Sequence, residues 1–360
     1  MLHNSFVYAP LPTRVVFGTG TLAQLRQELS ELAVKRALVV CTPEQTALAD
    51  EVAGRLADQF AGIFPKAVMH VPIEVARQAS DYALSIGADC IVAAGGGSTI
   101  GLGKAIALES NIPILAIPTT YAGSEMTPIY GITASGEKKT GRDWRVLPRT
   151  VIYDPSLTLS LPPLMSATSG INAIAHCVEA LYAENGNPII SLMAEDGIRS
   201  LAHGLPTIGQ QPTDLHARTE CLYGAWLAGM ALGATSVALH HKLCHTLGGM
   251  FNLPHAETHA VILPHAVAYN APAVPEAMDR LAHALNANHA AQGIFDLVTR
   301  LGAPTSLESL GVALHDLDRV ADEAMRSPYP NPRKLDRDAI RSLLEDAYFG
   351  RSPATESFAY

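Results

Sequence analysis

Six of the fourteen histidines fall between residues 240 and 265, in HHKLCHTLGGMFNLPHAETHAVILPH. His241 and His245 are four apart, which places both imidazoles on one helix face, and His255 follows ten residues later, past a glycine pair. Neutral imidazole is the commonest protein ligand for a transition metal, and its ordinary pKa lies close to physiological pH. The spacing therefore points to a site, with a metal as its simplest occupant. A second stretch, SGINAIAHCVEALY, sets Asn172 four residues before His176. A metal-binding helix calls for a carboxylate at the first of those positions. The amide found there carries no charge and is a poorer donor to a divalent cation. The alternative for Asn172 is a polar residue near the start of its helix, a position that asparagine favours.

CIVAAGGGSTIGLGKAIAL sets Gly95, Gly96, Gly97 and Ser98 between a strand pattern and a helix pattern. Backbone without Cβ atoms admits a pyrophosphate closely, and free N–H groups at a helix start favour its charge. The stretch is not a G-x-G-x-x-G fingerprint, because residue 100 is Ile. It is not a Walker A loop either, because Ser98 and Ala105 stand where glycine and Ser/Thr are needed. A tight turn with no ligand is the competing reading. A second polar turn, IPTTYAGSEMTP, supplies Thr119, Thr120 and Ser124 after another strand pattern. Two such turns at neighbouring strand ends suit a dinucleotide better than either alone. After RALVVCT, where an acidic residue would hold the adenosine 2′-hydroxyl, stand Cys41, Thr42 and Pro43. Without a carboxylate to repel a 2′-phosphate, NADH and NADPH should be poorly distinguished.

The elements that carry these residues divide into two halves. TRVVFG, RALVVCT, CIVAAGGG and PILAIPTT read as strands alternating with helices such as GTLAQLRQELSEL and EQTALADEVAGRLADQF. That alternation predicts a parallel sheet covered by helices, with ligands at the carboxyl ends of the strands. Beyond YDPSLTLSLPP the patterns are helical. The expected domains are therefore residues 1–156, α/β and nucleotide-binding, and residues 157–360, all-helical and carrying the histidines. A chain of 360 residues is long for a single core, and two domains is the natural reading. A net charge of −9 argues against nucleic acid and anionic membranes as partners. Five cysteines without CxxC spacing fit a reducing cytoplasm, and the N-terminal residues show no signal-peptide pattern. The charge-free CLYGAWLAGMALGATSVAL reaches the length of a membrane span, but its Gly and Ala content reads as a buried helix closely approached by its neighbours.

Together GGGSTIGLGKA, IPTTYAGSEMT, GINAIAHCVEALY and HHKLCHTLGGMFNLPHAETHAVILPH resemble the iron-containing alcohol dehydrogenase superfamily, and within it the maleylacetate reductase branch. The resemblance covers almost the whole chain, with four motifs in family order. It implies the dehydroquinate synthase-like fold: a Rossmann-like, parallel-sheet α/β domain, an all-α C-terminal domain, and an active site in the cleft between them. It also implies a homodimer. The family's aspartate and three histidine metal ligands fall on Asn172, His176, His241 and His255, with His245 as a neighbouring non-ligand. The missing aspartate agrees with a branch that works without an obligatory metal.

Two further departures stand out. Gly101 or Leu102 occupies the place of an aspartate found in many relatives. EKKTGRD resembles the loop whose lysine reaches the cofactor, with Lys139 as the best match.

The activity implied is NADH- or NADPH-dependent reduction of the carbon–carbon double bond of maleylacetate to 3-oxoadipate, in the breakdown of aromatic compounds. His241, His245 and His255 would then hydrogen-bond and protonate the substrate, with His176 and Asn172 orienting. Arg142 and Arg333 are the cations chosen for the substrate carboxylates. The competing readings are a metal-dependent alcohol dehydrogenase that tolerates asparagine, and a non-catalytic ligand-binding protein on the same scaffold.

Overall fold

β-branched and small apolar runs become strands where helices cover both faces. The structure, a computed structural model, describes residues 5–134, 137–326 and 329–353. Strand β1 (Arg14–Phe17) is followed by α1 (Leu25–Glu31), β2 (Ala37–Val40), α2 (Thr46–Leu56), β3 (Phe60–Phe64) and α3 (Ile73–Ser85). Then come β4 (Cys90–Gly95), α4 (Gly97–Ser110), β5 (Ile114–Pro118), the strands β6 (Ile129–Ala134) and β7 (Glu137–Arg142), and β8 (Thr150–Tyr153). Six strands form one parallel sheet in the order β1-β8-β5-β4-β2-β3.

The strand residues alternate between two cores. Val39, Val92, Ala94, Leu115 and Ile117 pack with Leu25, Leu29, Val52 and Leu56 of α1 and α2. Leu38, Val40, Ile91, Ala93 and Ile114 pack with Ala76, Ala79, Ile100 and Ile106 of α3 and α4. Because β2 connects outward to β3 while β4 connects the other way to β5, the strand order reverses between β2 and β4. The carboxyl ends of those two strands are therefore the crevice where this type of sheet takes a ligand.

Two elements differ from the sequence reading. FAGIF (60–64) is an edge strand, whereas the helix pattern of residues 44–60 runs into its first residue. The helix stops at Leu56, and Ala57 turns the chain with φ +51°. EKKTGRD is a strand rather than a loop, paired antiparallel with β6 from Ile129↔Arg142 to Ala134↔Glu137. Its polar run carries no apolar alternation to announce it.

From Pro162 onward the described chain is helical; residues 10–161 form one compact unit, and residues 5–9 group with the helical one, so the division differs from the expected 1–156 and 157–360 at both ends of the α/β part. The helices are α5 (Pro163–Leu181), α6 (Pro188–Gln210), α7 (Leu215–Ala234), α8 (Leu239–Phe251) and α9 (His255–Asn270), followed by α10 (Pro275–Ala284), α11 (Ala290–Arg300), α12 (Leu317–Met325) and α13 (Arg337–Phe349). The long apolar stretch 221–239 is broken between α7 and α8, which meet at 95°. Among the described residues no single helix is long and apolar enough to cross a membrane. Helix α7 approaches α6 so closely that a Cβ on Gly224 would lie 2.9 Å from the Gly197 carbonyl oxygen.

Candidate active site

The glycine-rich turn sits where the sheet topology places a ligand. Gly95 ends β4 with φ +155°, and Gly96 precedes the first residue of α4. A Cβ on Gly95 would lie 2.4 Å from Thr99 Oγ1 and 2.5 Å from Gln45 Oε1, and one on Gly96 would lie 2.9 Å from Thr120 Cγ2. Gln45, just beyond β2, donates from Nε2 to Thr119 Oγ1 at 2.9 Å, and Thr119 N–H donates to the Gly95 carbonyl at 3.2 Å. The ends of β2, β4 and β5 thus hold Gly95, Gly96, Thr119 and Thr120 together. Gly97 is exposed and Ser98 half-buried in the first turn of α4. This backbone cradle, which a Cβ would fill, fits a dinucleotide phosphate at a helix N-terminus.

Ser124 has a structural partner. The buried Lys104 ammonium donates to the carbonyls of Ser124 (2.7 Å), Thr127 (2.8 Å) and Ile129 (2.7 Å), and to Thr127 Oγ1 (2.9 Å). Ser124 Oγ stands 3.3 Å from the same Nζ. Burial pulls Lys104 down to about 7, with the buried Glu125 carboxylate opposing. Lys104 fastens α4 to the loop after β5, so it shapes the second polar turn. Lys139 and Arg142 lie exposed on β7, opposite Ile132 and Ile129. At Gly101, a Cβ would lie 2.8 Å from Val71 Cγ2. Gly101, one of the two residues proposed for that departure, is thus a close packing contact.

In the helical unit, Asn172, His176 and Glu179 form one buried stripe of α5, at 5, 5 and 1% exposure. Helix α5 begins at Pro163, so Asn172 lies in its middle and the helix-start reading of that residue does not hold. Helix α8 adds His240, His241 and His245, and α9 adds His255 and His259. The rings make a graded cluster. His240 and His259 are innermost, with His240 Nε2 and His259 Nδ1 hydrogen-bonded at 2.8 Å and Cys244 Sγ 3.7 Å from His240 Nε2. His176 stacks on His241 at 5.1 Å between centroids. His245, exposed, stacks on the half-buried His255 at 6.2 Å, and His255 meets His259 at 4.3 Å. The structure thus joins all four predicted histidines with His240 and His259, and sets Asn172 on the same helix face as His176.

Burial first, and the neighbouring imidazoles second, hold His176, His240 and His259 well below the usual histidine range. They are neutral at pH 7. Asn172 Oδ1, His176 Nδ1 and His241 Nε2 are buried without a protein partner. Glu179 accepts from Ala238 N–H (2.7 Å), His240 N–H (2.8 Å) and His241 Nδ1 (2.7 Å). Arg333 lies elsewhere in this unit: its guanidinium donates to the Tyr269 carbonyl at 2.9 Å and covers the Tyr269 ring at 4.5 Å.

These residues do not fit the iron ion that the resemblance associates with them. The donor set is one amide and imidazoles, with no anion where the resemblance expects an aspartate, and the Glu179 carboxylate is engaged by three donors. Among the described residues, the His/Cys/acid trio with ligand atoms within 4.8 Å of one another is His240, Cys244 and His259, two of which are hydrogen-bonded together.

Glu179, His240, His259, Gln45 and Lys104 were not singled out from sequence. Glu179 was findable, seven residues from Asn172 and three from His176 on one helix stripe. So was His259, four residues after His255. Lys104, the lone charge in residues 97–108, stands out as a buried charge needing partners. Nothing in the sequence marks Gln45.

Comparison with known proteins places these features in company. Residues 12–155 match the family described as "Iron-containing alcohol dehydrogenase", and residues 166–348 match "Fe-containing alcohol dehydrogenase family, C-terminal". The chain is 60% identical over 351 residues to a maleylacetate reductase of Burkholderia cepacia, covering 98% of this chain and 100% of that protein. It is 56% identical to one from Pseudomonas sp. strain P51, covering 97% and 99%. The crystal structure of maleylacetate reductase from Agrobacterium tumefaciens superposes with a TM-score of 0.94 at 50% identity, covering 98% and 100%.

Proposed function

The chain belongs to the iron-containing alcohol dehydrogenase family, and from that premise we propose that it reduces the carbon–carbon double bond of maleylacetate to 3-oxoadipate without a catalytic metal. The observation that carries the metal-free reading is the histidine cluster, with an amide at Asn172 where a cation would require a carboxylate. NADH or NADPH is the reductant of this proposal. Gly95, Gly96, Gly97, Ser98, Thr119, Thr120, Ser124 and Lys139 would hold it, and its nicotinamide supplies a hydride. Cys41, Thr42 and Pro43 after β2 offer no carboxylate against a 2′-phosphate, which supports use of either form.

Maleylacetate is an enone, so hydride addition at the carbon β to the ketone gives an enolate rather than an isolated alkoxide. Such a product needs hydrogen-bond donors at its oxygen and one proton at carbon, and imidazoles supply both near neutral pH. His241, His245 and His255 carry that task in this proposal, with His176 and Asn172 orienting. Arg142 and Arg333 remain the proposed carboxylate partners, Arg333 being anchored on Tyr269. We further propose a cytoplasmic homodimer in aromatic breakdown. Its supports are the family resemblance and five buried, unpaired thiols.

The test is a cofactor-oxidation assay of the purified protein with maleylacetate, and identification of the product. One equivalent of 3-oxoadipate per NADH or NADPH consumed is expected, and no turnover with either cofactor overturns the proposal.

A further inference from the structure

The end of β2 is where a carboxylate would hold an adenosine 2′-hydroxyl, and Cys41, Thr42 and Pro43 stand there instead. The strand register shows what the neighbouring chain brings to that point. β2 and β3 pair in parallel, with Val40 opposite Phe64. The pairing continues past both strand ends: Cys41 N–H donates to the Phe64 carbonyl at 3.3 Å, and Ala67 N–H donates to the Cys41 carbonyl at 3.0 Å. Residues 65 and 66 are therefore held beside Cys41. Side chains alternate along this extension, Val40 and Phe64 lying in the core with α3 and α4, and Cys41 in the core with α1 and α2. By that alternation Thr42 and Lys66 continue the face of Val40 and Phe64. The Lys66 ammonium indeed lies over the Phe64 ring, 5.8 Å from its centroid. Lys66 is exposed, and among the described residues no ion pair engages it.

From this arrangement we infer that Lys66 is a specificity-determining residue, whose ammonium receives the 2′-phosphate of NADPH. The inference rests on the proposed use of a nicotinamide cofactor and names the group that admits its phosphorylated form. A missing carboxylate only removes a repulsion. A 2′-phosphate still brings nearly two further negative charges to a chain of net charge −9, and a local cation must offset them for NADPH to bind as well as NADH. The acids near the end of β2 lie to its other side. Burial first, and then the Asp50 and Glu44 charges, raise the Cys41 thiol to about 11, and that thiol belongs to the α1–α2 core. Asp50 is on α2 and Glu44 in the turn before it, whereas Lys66 approaches from the β3 side. The 2′-hydroxyl of NADH carries no charge, so the ammonium gives it far less.

The test is fluorescence titration of the full-length protein with NADH and with NADPH, which differ by the 2′-phosphate alone, in the absence of maleylacetate. In K66A the Kd for NADPH should rise about 10-fold while that for NADH moves by less than about twofold. K66R, which keeps the charge, should stay within about threefold of the wild type for both cofactors. Raising the salt from about 50 to about 300 mM should weaken NADPH binding more in the wild type than in K66A, because only the wild type has the ion pair to screen. A K66A protein that binds NADPH as tightly as the wild type, or that loses both cofactors equally, overturns the inference. So does a wild type that binds NADH but not NADPH. Binding of neither cofactor by the wild type defeats the nicotinamide reading and this inference with it. The expected K66A shift in a protein that does not turn over maleylacetate supports the role of Lys66 and defeats the reductase reading instead.

Discussion

At the scale of single residues, the account turns on one side chain. Asn172 occupies the middle of α5, 5% exposed, on the face that also presents His176 and Glu179. An aspartate there would add a full negative charge beside the imidazoles, and a buried anion without a partner is costly. Asn172→Asp should therefore bind zinc at least about 10-fold more tightly than the wild type, because the added anion both attracts the ion and is stabilised by it. Competition against a chromophoric chelator measures this. Equal, weak binding by both proteins would show that the missing charge is not what keeps a cation out. The same scale explains why Glu179 escaped sequence reading while His176 did not. Glutamate on a helix is ordinarily a solvated side chain, and only the burial of its stripe shows that its charge must be satisfied inside.

At the scale of elements, the turn between β4 and α4 is the most constrained joint in the α/β unit. Gly95 combines a positive φ with a Cβ position crowded by Thr99 and Gln45. Gly95→Ala should cost about 1–3 kcal/mol of stability, through backbone strain and displacement of the Thr99 side chain. It should also raise the Kd for NADH, read by fluorescence titration. Unchanged affinity would mean that this turn does not hold the nucleotide.

Glycines between a strand and a helix are a strong signal, and this joint was legible in the residues alone. So was the helix stripe of Asn172 and His176, because the 3.6-residue period exposes it. The β6–β7 hairpin was not, since Glu137, Lys138, Lys139, Thr140, Gly141 and Arg142 show no apolar alternation and the strand is defined by its pairing partner. FAGIF was hidden by the apolar residues of the preceding helix. The convergence of α5, α8 and α9 on one histidine cluster was beyond local patterns altogether, because nothing in the spacing between residues 176 and 240 specifies how three helices cross.

At the scale of the whole molecule, burying imidazoles has a consequence for stability. His240, His259 and His265 are held below the ordinary histidine value by burial, His265 to about 4. In the unfolded chain they take up protons near pH 6.5, and in the folded chain they do not. The unfolded state therefore binds more protons below that pH. The stability present above about pH 6.5 falls as pH drops, each such histidine contributing about 1.4 kcal/mol per pH unit. Urea midpoints measured from about pH 7.5 down to about 5 should decline steadily, whereas a level midpoint would mean the cluster protonates while folded.

The same histidine cluster decides the chemistry claimed for the protein. The most direct test is kcat/KM for maleylacetate with NADH after exhaustive chelation, compared with the same enzyme resupplied with ferrous or zinc ions, with metal content measured in each. We predict equal values, within about twofold, in samples holding far less than one ion per chain. Loss of turnover on chelation, restored by one equivalent of metal per chain, would contradict the account.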